Sequence, residues 1–552
     1  MGVIDEVRKE REDLAGVLVK YPGIRKSFEN AYPDSAHFIY ELLQNAEDCR
    51  AKNVNFQLTH DWLVFEHDGD PFSLDDIYEI TKYGEGTKTD NQVAIGGKGI
   101  GFKAVFAYSE TPSIWSPTYS FKLEGIVLPY ELTSKLELKD KTRFEFPFNN
   151  PKKPKEEAFE QIKKGLNELA ETTLLFLANI EFIKWQIGVE VYGEVQRIKR
   201  EKGHIEVLKQ IGGKSTSAAH FLKFEKVVTE EAYQNVAVAF ELEKLPDIQG
   251  FDNTKPIAKQ LKITPVQPGS VSVYFPAPKE TSGLRFHVHG SFDTELSRAS
   301  IVDTDANLPL YELIAELIAS SLHKIRDLGL LTTEFLGVLP NNDDDIPPRY
   351  EKIRGSIIEE MKAQPLTPTQ SGRHQPAKYL RSANATLKNV LSDGDLQFLI
   401  GKTDVPVFWV KAAQQKSSRS DKFLDSLGIE EWDSEEFIDL IKDKLDEPWP
   451  TFVPDKQILE WLASKPIEWH QKFYAHLYIE AEKIYSGFDG LEKCRIVRLE
   501  TGAGDPVMYG QGDESFFPIE GVTIGNFQLV DASTYSTGKN ATEKIARTAN
   551  WC

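Results

Sequence analysis

Residues 37–49 read HFIYELLQNAEDC, and the fold turns on them. The spacing predicts a helix over Phe38 to Arg50, with Phe38, Leu42, Leu43 and Ala46 on its apolar side. Glu41, Asn45 and Asp48 then fall at i, i+4 and i+7, on one face of that helix. A carboxylate and a carboxamide one turn apart suit two tasks. Asn45 can give one oxygen to a Mg²⁺ whose other ligands are phosphates and water. Glu41 can take a proton from an attacking water. A polar helix face that merely meets solvent is the alternative reading.

Three further segments bear on this helix. In FEHDGDPF, Phe65 to Phe72, a strand runs into an acidic turn at Asp68 and Gly69. An aspartate there suits the exocyclic amine of adenine, and the glycine gives a base close access. An ordinary Asp-Gly turn needs no ligand. Phe72 stands where an EF-hand needs an oxygen ligand, so a calcium loop is excluded. In IGGKGIGFKAVF, Ile95 to Phe106, glycines at 96, 97, 99 and 101 precede an apolar helix. Exposed backbone N–H groups and a helix start favour anions, with Lys98 and Lys103 adding charge and Ile100 and Phe102 completing the segment. Gly99 follows Lys98 where a Walker A loop needs Ser or Thr, and the spacing is not the dinucleotide fingerprint. In KTRFEFPF, Lys141 to Phe148, Thr142 opens a strand and can bridge a water or the aspartate.

The order and spacing of these four segments resemble the GHKL ATPase superfamily, and within it the sacsin and No Vein type of heat-shock-chaperone-like ATP-binding domain. HFIYELLQNAEDC, GEGTKT, AIGGKGIGFKAVF and FHVHGSFDTELSRASI carry the resemblance, over about residues 10 to 330. It implies an α/β fold: a Bergerat sandwich, with ATP and Mg²⁺ between helices and a mixed sheet. It also implies Glu41 as general base and Asn45 as Mg²⁺ ligand, with Asp48 lining the pocket. Asp68, Gly69 and Thr142 fall at the adenine end. Gly96, Lys98, Gly99, Ile100, Gly101, Phe102 and Lys103 fall at the phosphates, and Lys82 to Gly97 resembles a closing lid. In LSRAS, Leu296 to Ser300, Arg298 resembles the middle-domain arginine that reaches a γ-phosphate; a surface arginine is the alternative. One departure stands out. Gly69 sets a register that puts His67 in the usual aspartate slot, and Pro71 replaces a second glycine. A small shift of the turn that brings Asp68 to the base is the expectation.

The wider chain is consistent with such a protein. Its 552 residues suit about three or four domains. There are 65 Lys+Arg against 85 Asp+Glu, a formal charge of −20, which weighs against a surface built for nucleic acid or anionic lipid. Cys49, Cys494 and Cys552 form no CxxC pair, which points to a reducing, cytoplasmic setting. The charged start, MGVIDEVRKEREDL, has no apolar signal core. The greasy run Thr173 to Trp185 is interrupted by Asn179 and Glu181 and is too short for a bilayer.

The reading divides the chain into an ATP-binding domain at 1–150, an α/β transducer-like middle domain at 151–340, a linker at 341–375 and a mainly helical region at 376–552. Residues 155 to 176 are predicted as helix, as are Leu308 to Leu328. Strands are predicted at Val54 to Leu58, Trp62 to Phe65, Arg143 to Phe148, Val189 to Tyr192, Val236 to Leu242, Val271 to Phe275 and Leu284 to Val288. The linker rests on PNNDDDIPP, Pro340 to Pro348, and on QPLTPTQSGRHQP, Gln364 to Pro376. The closing ARTANWC brings no evident end to a domain and is compatible with a longer polypeptide.

Three attractive patterns are set aside. His287 and His289 share a strand face but lack the third protein ligand that zinc wants, so satisfied strand histidines are expected. GAGDPVMYGQGD, Gly502 to Asp513, follows no strand–helix pattern and reads as a loop. RIKREKGH, Arg197 to His204, reads as a solvated hairpin turn.

The functional expectation is slow, Mg²⁺-dependent hydrolysis of ATP to ADP and phosphate by a nucleotide-gated clamp, chaperone-like or defence-associated. Its partners would be a protein client or further subunits, and the resemblance implies a nucleotide-dependent homodimer. A scaffold that senses nucleotide without hydrolysis is the second reading. A nucleic-acid clamp of the MutL or MORC type is the third.

Overall fold

A computed structural model describes residues 2–21, 37–82, 101–189, 191–214, 216–229, 234–295, 298–400, 405–413, 415–445, 455–485, 491–518, 525 and 527–534. The chain forms two compact units, Met1–Glu360 and Met361–Cys552.

The first unit is built on one large mixed sheet. Helices α1 (Val3–Lys20) and α2 (His37–Asp48) precede the hairpin β1 (Asn53–Leu58) and β2 (Trp62–His67). After α3 (Leu74–Thr81) come β3 (Ser113–Trp115), β4 (Ser120–Glu124), β5 (Leu128–Glu131) and β6 (Thr142–Pro147). Helix α4 (Lys155–Asn167) leads to β7 (Phe182–Ile187), β8 (Val191–Lys199), β9 (His204–Ile211), β10 (Ser217–Thr229) and β11 (Gln234–Lys244). The sheet is completed by β12 (Leu261–Thr264), β13 (Val271–Val273), β14 (Phe275–Pro276) and β15 (His287–Gly290), followed by α5 (Leu308–Asp327). Strand order is β14-β13-β15-β11-β10-β9-β8-β7-β1-β2-β6-β3-β4-β5, with β12 on β11.

This sheet has strands on both sides of residue 150, where the sequence suggested a boundary. β1 pairs with β2 on one side and in parallel with β7 on the other, from Asn53 opposite Phe182 to Leu58 opposite Ile187. Backbone hydrogen bonds therefore join residues 53–58 to residues 182–187 within the sheet. The expected linker is also structured. Asn341 is fully buried, its backbone N–H donates to Asp344 at 2.9 Å, and a helix follows at Glu351–Ala363. The two units divide inside that helix.

Local patterns explain the layer that matters. β6 alternates buried and half-buried residues, which turns Thr142, Phe144 and Phe146 to one face. Their partners on β2 are His67, Phe65 and Leu63. Phe102 covers this row, with ring centroids 6.0 Å from Phe144 and 6.2 Å from Phe146. Phe38 of α2 meets Phe146 edge-on at 6.2 Å. Thus α2 and the short 3-10 helix Gly101–Ala107 both lie on this face, and His67 and Thr142 end the row.

The second unit combines helices with short strand pairs. Leu380–Ser382 pairs in parallel with Phe408–Trp409 and Glu430–Glu431. Its core gathers Trp409, Trp432, Trp461 and Trp469 with Phe473 and Tyr474.

Candidate functional site

Helix α2 does not present a solvated polar face. Glu41 is 4% exposed, and Gln44 and Glu47 are 2% exposed each. Buried polar and charged groups need partners, and each of these side chains finds one far along the chain. Arg298 Nε lies 3.0 Å from Glu41 Oε1. The same guanidinium donates to Gln44 Oε1 across 254 residues of sequence. Arg298 adopts a left-handed backbone, φ +53°, and its side chain is about a fifth exposed. Tyr40, beside Glu41, packs its ring 5.0 Å from that of Phe275.

Gly101 closes the other side of Glu41. A Cβ built there would overlap Glu41 Oε2. The carboxylate therefore sits between the Arg298 guanidinium and the backbone where the glycine-rich segment ends. Asn45, one helical turn on, is half-buried, as is Asp48. Burial raises the Tyr274 phenol, and the charges of Asp48 and Glu47 add to that rise.

Glu47 serves a different purpose. Its carboxylate accepts from the backbone N–H groups of Ala178, Asn179 and Ile180 at 2.7, 2.8 and 2.9 Å. Arg197 takes carbonyls of the same segment, donating to Leu174 at 3.0 Å, to Ala178 at 3.2 Å and to Leu177. The segment is clamped between opposite charges, which fixes the helix that carries Glu41. Nothing in ELLQNAED announces this, because the partner is 131 residues away.

The end of the β2–β6 row differs from expectation. His67 is 3% exposed and lies opposite Thr142, which is fully buried. Burial lowers the imidazole pKa to about 4, with the Asp68 charge opposing the shift. His67 Nδ1 accepts the Gly69 N–H at 3.2 Å. Thr142 Oγ1 donates to Ser116 Oγ at 3.2 Å, and Ser116 Oγ also accepts the Phe72 N–H at 2.9 Å. Ser116 was not singled out in the sequence.

Asp68 does not turn toward this row. It is exposed, and its Oδ1 accepts the N–H groups of Lys52 and Asn53, both at 2.8 Å. Its Oδ2 accepts from Asn53 Nδ2 at 2.6 Å. Burial pushes its pKa up, but these bonds outweigh that and hold the carboxyl below its usual range. Alternation along the strand gives the reason: a residue next to an inward His67 points outward. Gly69 is required by a close approach. A Cβ there would overlap the Cys49 carbonyl at the end of α2 and lie 2.9 Å from Ala51 N.

Residues 24–127 match the family model of the sacsin domain. That span holds Glu41, Asn45, His67 and Gly101, whereas Thr142 and Arg298 lie beyond it. The chain is similar to Protein NO VEIN of Arabidopsis thaliana, 24% identical over 460 residues, covering 75% of this chain and 16% of that protein. It is similar to human sacsin, 33% identical over 108 residues, covering 16% of this chain and 2% of sacsin. The chain thus spans a small part of each of these relatives. Among solved structures, the N-terminal domain of a DNA repair protein aligns with 54% of this chain and 98% of its own at 11% identity, with a TM-score of 0.32.

Within the matched span, Lys103 is buried and bonded to backbone carbonyls. It is 4% exposed and donates to the Ile126 carbonyl at 3.0 Å and to the Ile80 carbonyl. Burial, aided by the Arg11 charge, lowers its pKa to about 7. Phe102 contributes its ring to the core. Gly96, Lys98, Gly99 and Ile100, and the expected lid from residue 83 to 97, lie outside the described residues.

Other patterns resolve through their partners. His289 Nε2 pairs with Asn235 Oδ1 at 2.8 Å, and its Nδ1 lies 3.1 Å from the Tyr274 N–H and the Ser272 carbonyl. His287 Nδ1 lies 2.7 Å from Ser270 Oγ. The basic stretch at 197–204 forms the β8–β9 hairpin, but Arg197 and His204 are buried within it, contrary to a wholly solvated turn. No described helix is long and apolar enough to cross a membrane.

Proposed function

We propose that the sacsin-domain region binds a Mg²⁺-complexed purine nucleoside triphosphate, ATP by resemblance, and hydrolyses it slowly to gate a conformational clamp. The observation that carries this reading is the meeting of Glu41, Gly101 and Arg298. A nearly buried carboxylate lies against the end of a glycine-rich segment and under a guanidinium from a distant part of the chain. A terminal phosphate at this place would draw the Arg298 guanidinium to its own charge, as guanidinium groups favour phosphate oxygens. Glu41 would then take a proton from water attacking the phosphorus in line, as the bond to the leaving diphosphate oxygen breaks. Until then Arg298 occupies the carboxylate lone pairs, which keeps turnover low.

The donor set fits Mg²⁺ held mainly by phosphate. Among the described residues no group of three His, Cys, Asp or Glu side chains is placed to hold a metal. One carboxamide at Asn45 with phosphate oxygens and water is the usual arrangement for this ion. When bound, the ion would neutralise phosphate charge.

The test is nucleotide binding and phosphate release for the wild type, Glu41→Ala and Arg298→Ala. The reading expects Glu41→Ala to bind without turnover and Arg298→Ala to turn over at least about tenfold more slowly. Binding without phosphate release in all three would favour a nucleotide-sensing scaffold, a reading that the paired state of Glu41 also supports. Absence of binding would end both.

A further inference from the structure

We propose that Glu280 is a positioning residue for Arg298: through it, the turn that opens the helix Glu351–Ala363 sets how firmly Arg298 is held on Glu41. The consequence for turnover rests on the nucleotide reading above; the contacts themselves do not.

Arg298 does not hold its place alone. Its backbone is left-handed, φ +53°, a conformation that an arginine keeps only where its surroundings impose it. Two side chains impose it. Asn307, 2% exposed, ties the base of the segment together: its Oδ1 accepts the Asp293 N–H at 2.8 Å, and its Nδ2 donates to the Val302 carbonyl at 2.8 Å. The residues just after Arg298 hang from Lys279 and Glu280. The Lys279 N–H donates to the Ala299 carbonyl at 2.9 Å, and the Ile301 N–H donates to Glu280 Oε2 at 3.4 Å.

The other oxygen of Glu280 serves a later segment. Arg349 Nη2 lies 2.5 Å from Glu280 Oε1, and the Tyr350 hydroxyl donates to the same atom at 3.3 Å. The Glu280 side chain is 2% exposed, so its charge depends on the Arg349 cation. Burial, then the Glu280 charge, pushes the Tyr350 phenol up, which keeps it a donor. Gly283, φ +68°, lets the same stretch approach Asp345: a Cβ there would overlap the Asp345 carbonyl. Arg349 and Tyr350 belong to the 3-10 turn Pro348–Tyr350, directly before the helix in which the two units divide.

One buried carboxylate thus links that turn to the backbone on which Arg298 rides, and Arg298 reaches Glu41. Moving Arg349 away would leave the Glu280 charge uncompensated and loosen the Ile301 end of the segment. Arg298 would then relax from its left-handed backbone, and its guanidinium would lose the position from which it passes from Glu41 to phosphate. A misplacement of about 1 Å can cost ~100-fold in rate.

The experiment compares the full chain with Arg349→Ala, Arg349→Lys and Glu280→Gln, each alone and with Arg298→Ala. In urea unfolding, Arg349→Ala and Arg298→Ala should be coupled: together they should raise the unfolding equilibrium constant ~5–10-fold less than the product of their separate effects. A product reached to within about twofold overturns the link. In phosphate release from ATP with Mg²⁺, Arg349→Ala and Glu280→Gln should each lower kcat at least about tenfold while KM stays within about threefold, and neither should slow Arg298→Ala further. Arg349→Lys keeps a cation on a contact made with Glu280 through one nitrogen, so its kcat should stay within about threefold of wild type. An unchanged kcat in Arg349→Ala, or an equal loss in the Arg298→Ala background, overturns the positioning role and leaves the nucleotide reading standing. If the wild type releases no phosphate, hydrolysis itself falls, and the unfolding cycle alone decides the link between Arg349 and Arg298.

Discussion

Arg298 and Glu41 form an ion pair of 3.0 Å that joins the strained turn after β15 to the second turn of α2. A left-handed arginine costs about 1 kcal/mol or more, and the pair holds it there. Removing the cation leaves a carboxylate whose side chain is 5% exposed without its charge partner. Arg298→Ala should therefore lower unfolding free energy by ~3 kcal/mol in urea titration. Adding Glu41→Gln should recover at least half of that loss. Equal stability of wild type and Arg298→Ala would mean that the pair is not held in solution.

Gly101→Ala should displace Glu41, because the new methyl would take the place of Oε2. Phosphate release should fall about as far as in Glu41→Ala. The double substitution with Glu41→Ala should regain the melting temperature lost by Gly101→Ala alone. A Gly101→Ala protein with normal stability and turnover would show that this close approach is not kept.

Glu47→Ala should free the backbone N–H groups of Ala178, Asn179 and Ile180. Only the Ile180 N–H is buried among them, and leaving it without an acceptor costs ~1–3 kcal/mol, with less from the part-buried pair. Amide exchange at these positions should quicken at least about tenfold, ahead of exchange in β1 and β7. Unchanged exchange would remove Glu47 from its anchoring role.

Acid should destabilise the first unit well before its carboxylates titrate. His67 has a pKa near 4 and His289 near 3 in the folded chain, against 6.5 in a free histidine, with burial the leading cause in both. Below pH 6.5 the unfolded chain therefore takes up protons that the folded chain refuses. Stability is full above that point and falls as pH drops toward 4 and then 3. Each histidine should account for about 2 kcal/mol at pH 5. His289→Gln should flatten the pH profile of the urea midpoint, and an unaltered slope would contradict the shift.

Lys103→Met should leave nucleoside triphosphate affinity within about threefold, because Lys103 Nζ donates to the carbonyls of Ile80 and Ile126. A loss of tenfold or more would return Lys103 to the phosphate group of residues.

Much of the site helix was legible. Apolar spacing placed it at 38–50, and it spans His37–Asp48. β1, β2, β6 and the long helix ending near residue 328 were also legible from alternation and amphipathic spacing. Helix 155–176 was drawn too long. α4 ends at Asn167, and a separate 3-10 turn at Glu171–Leu174 follows. The strand expected at 284–288 lies at His287–Gly290, and the 13-residue β10 was not anticipated. In these places apolar residues serve a partner strand, so their spacing carries little local signal.

By itself the sequence determined the chemistry on offer: a carboxylate and a carboxamide one turn apart, a glycine-dense segment and a strand ending in His-Asp-Gly. Periodicity and glycine content are local properties, and they survive in one dimension. Only the tertiary structure decided which groups meet. It brought Arg298 to Glu41, set Glu47 against residues 178–180, turned Lys103 inward and faced His67 rather than Asp68 toward Thr142. Each outcome depends on strand register and on a partner more than 20 residues away, and register is fixed by long-range pairing that no short window contains.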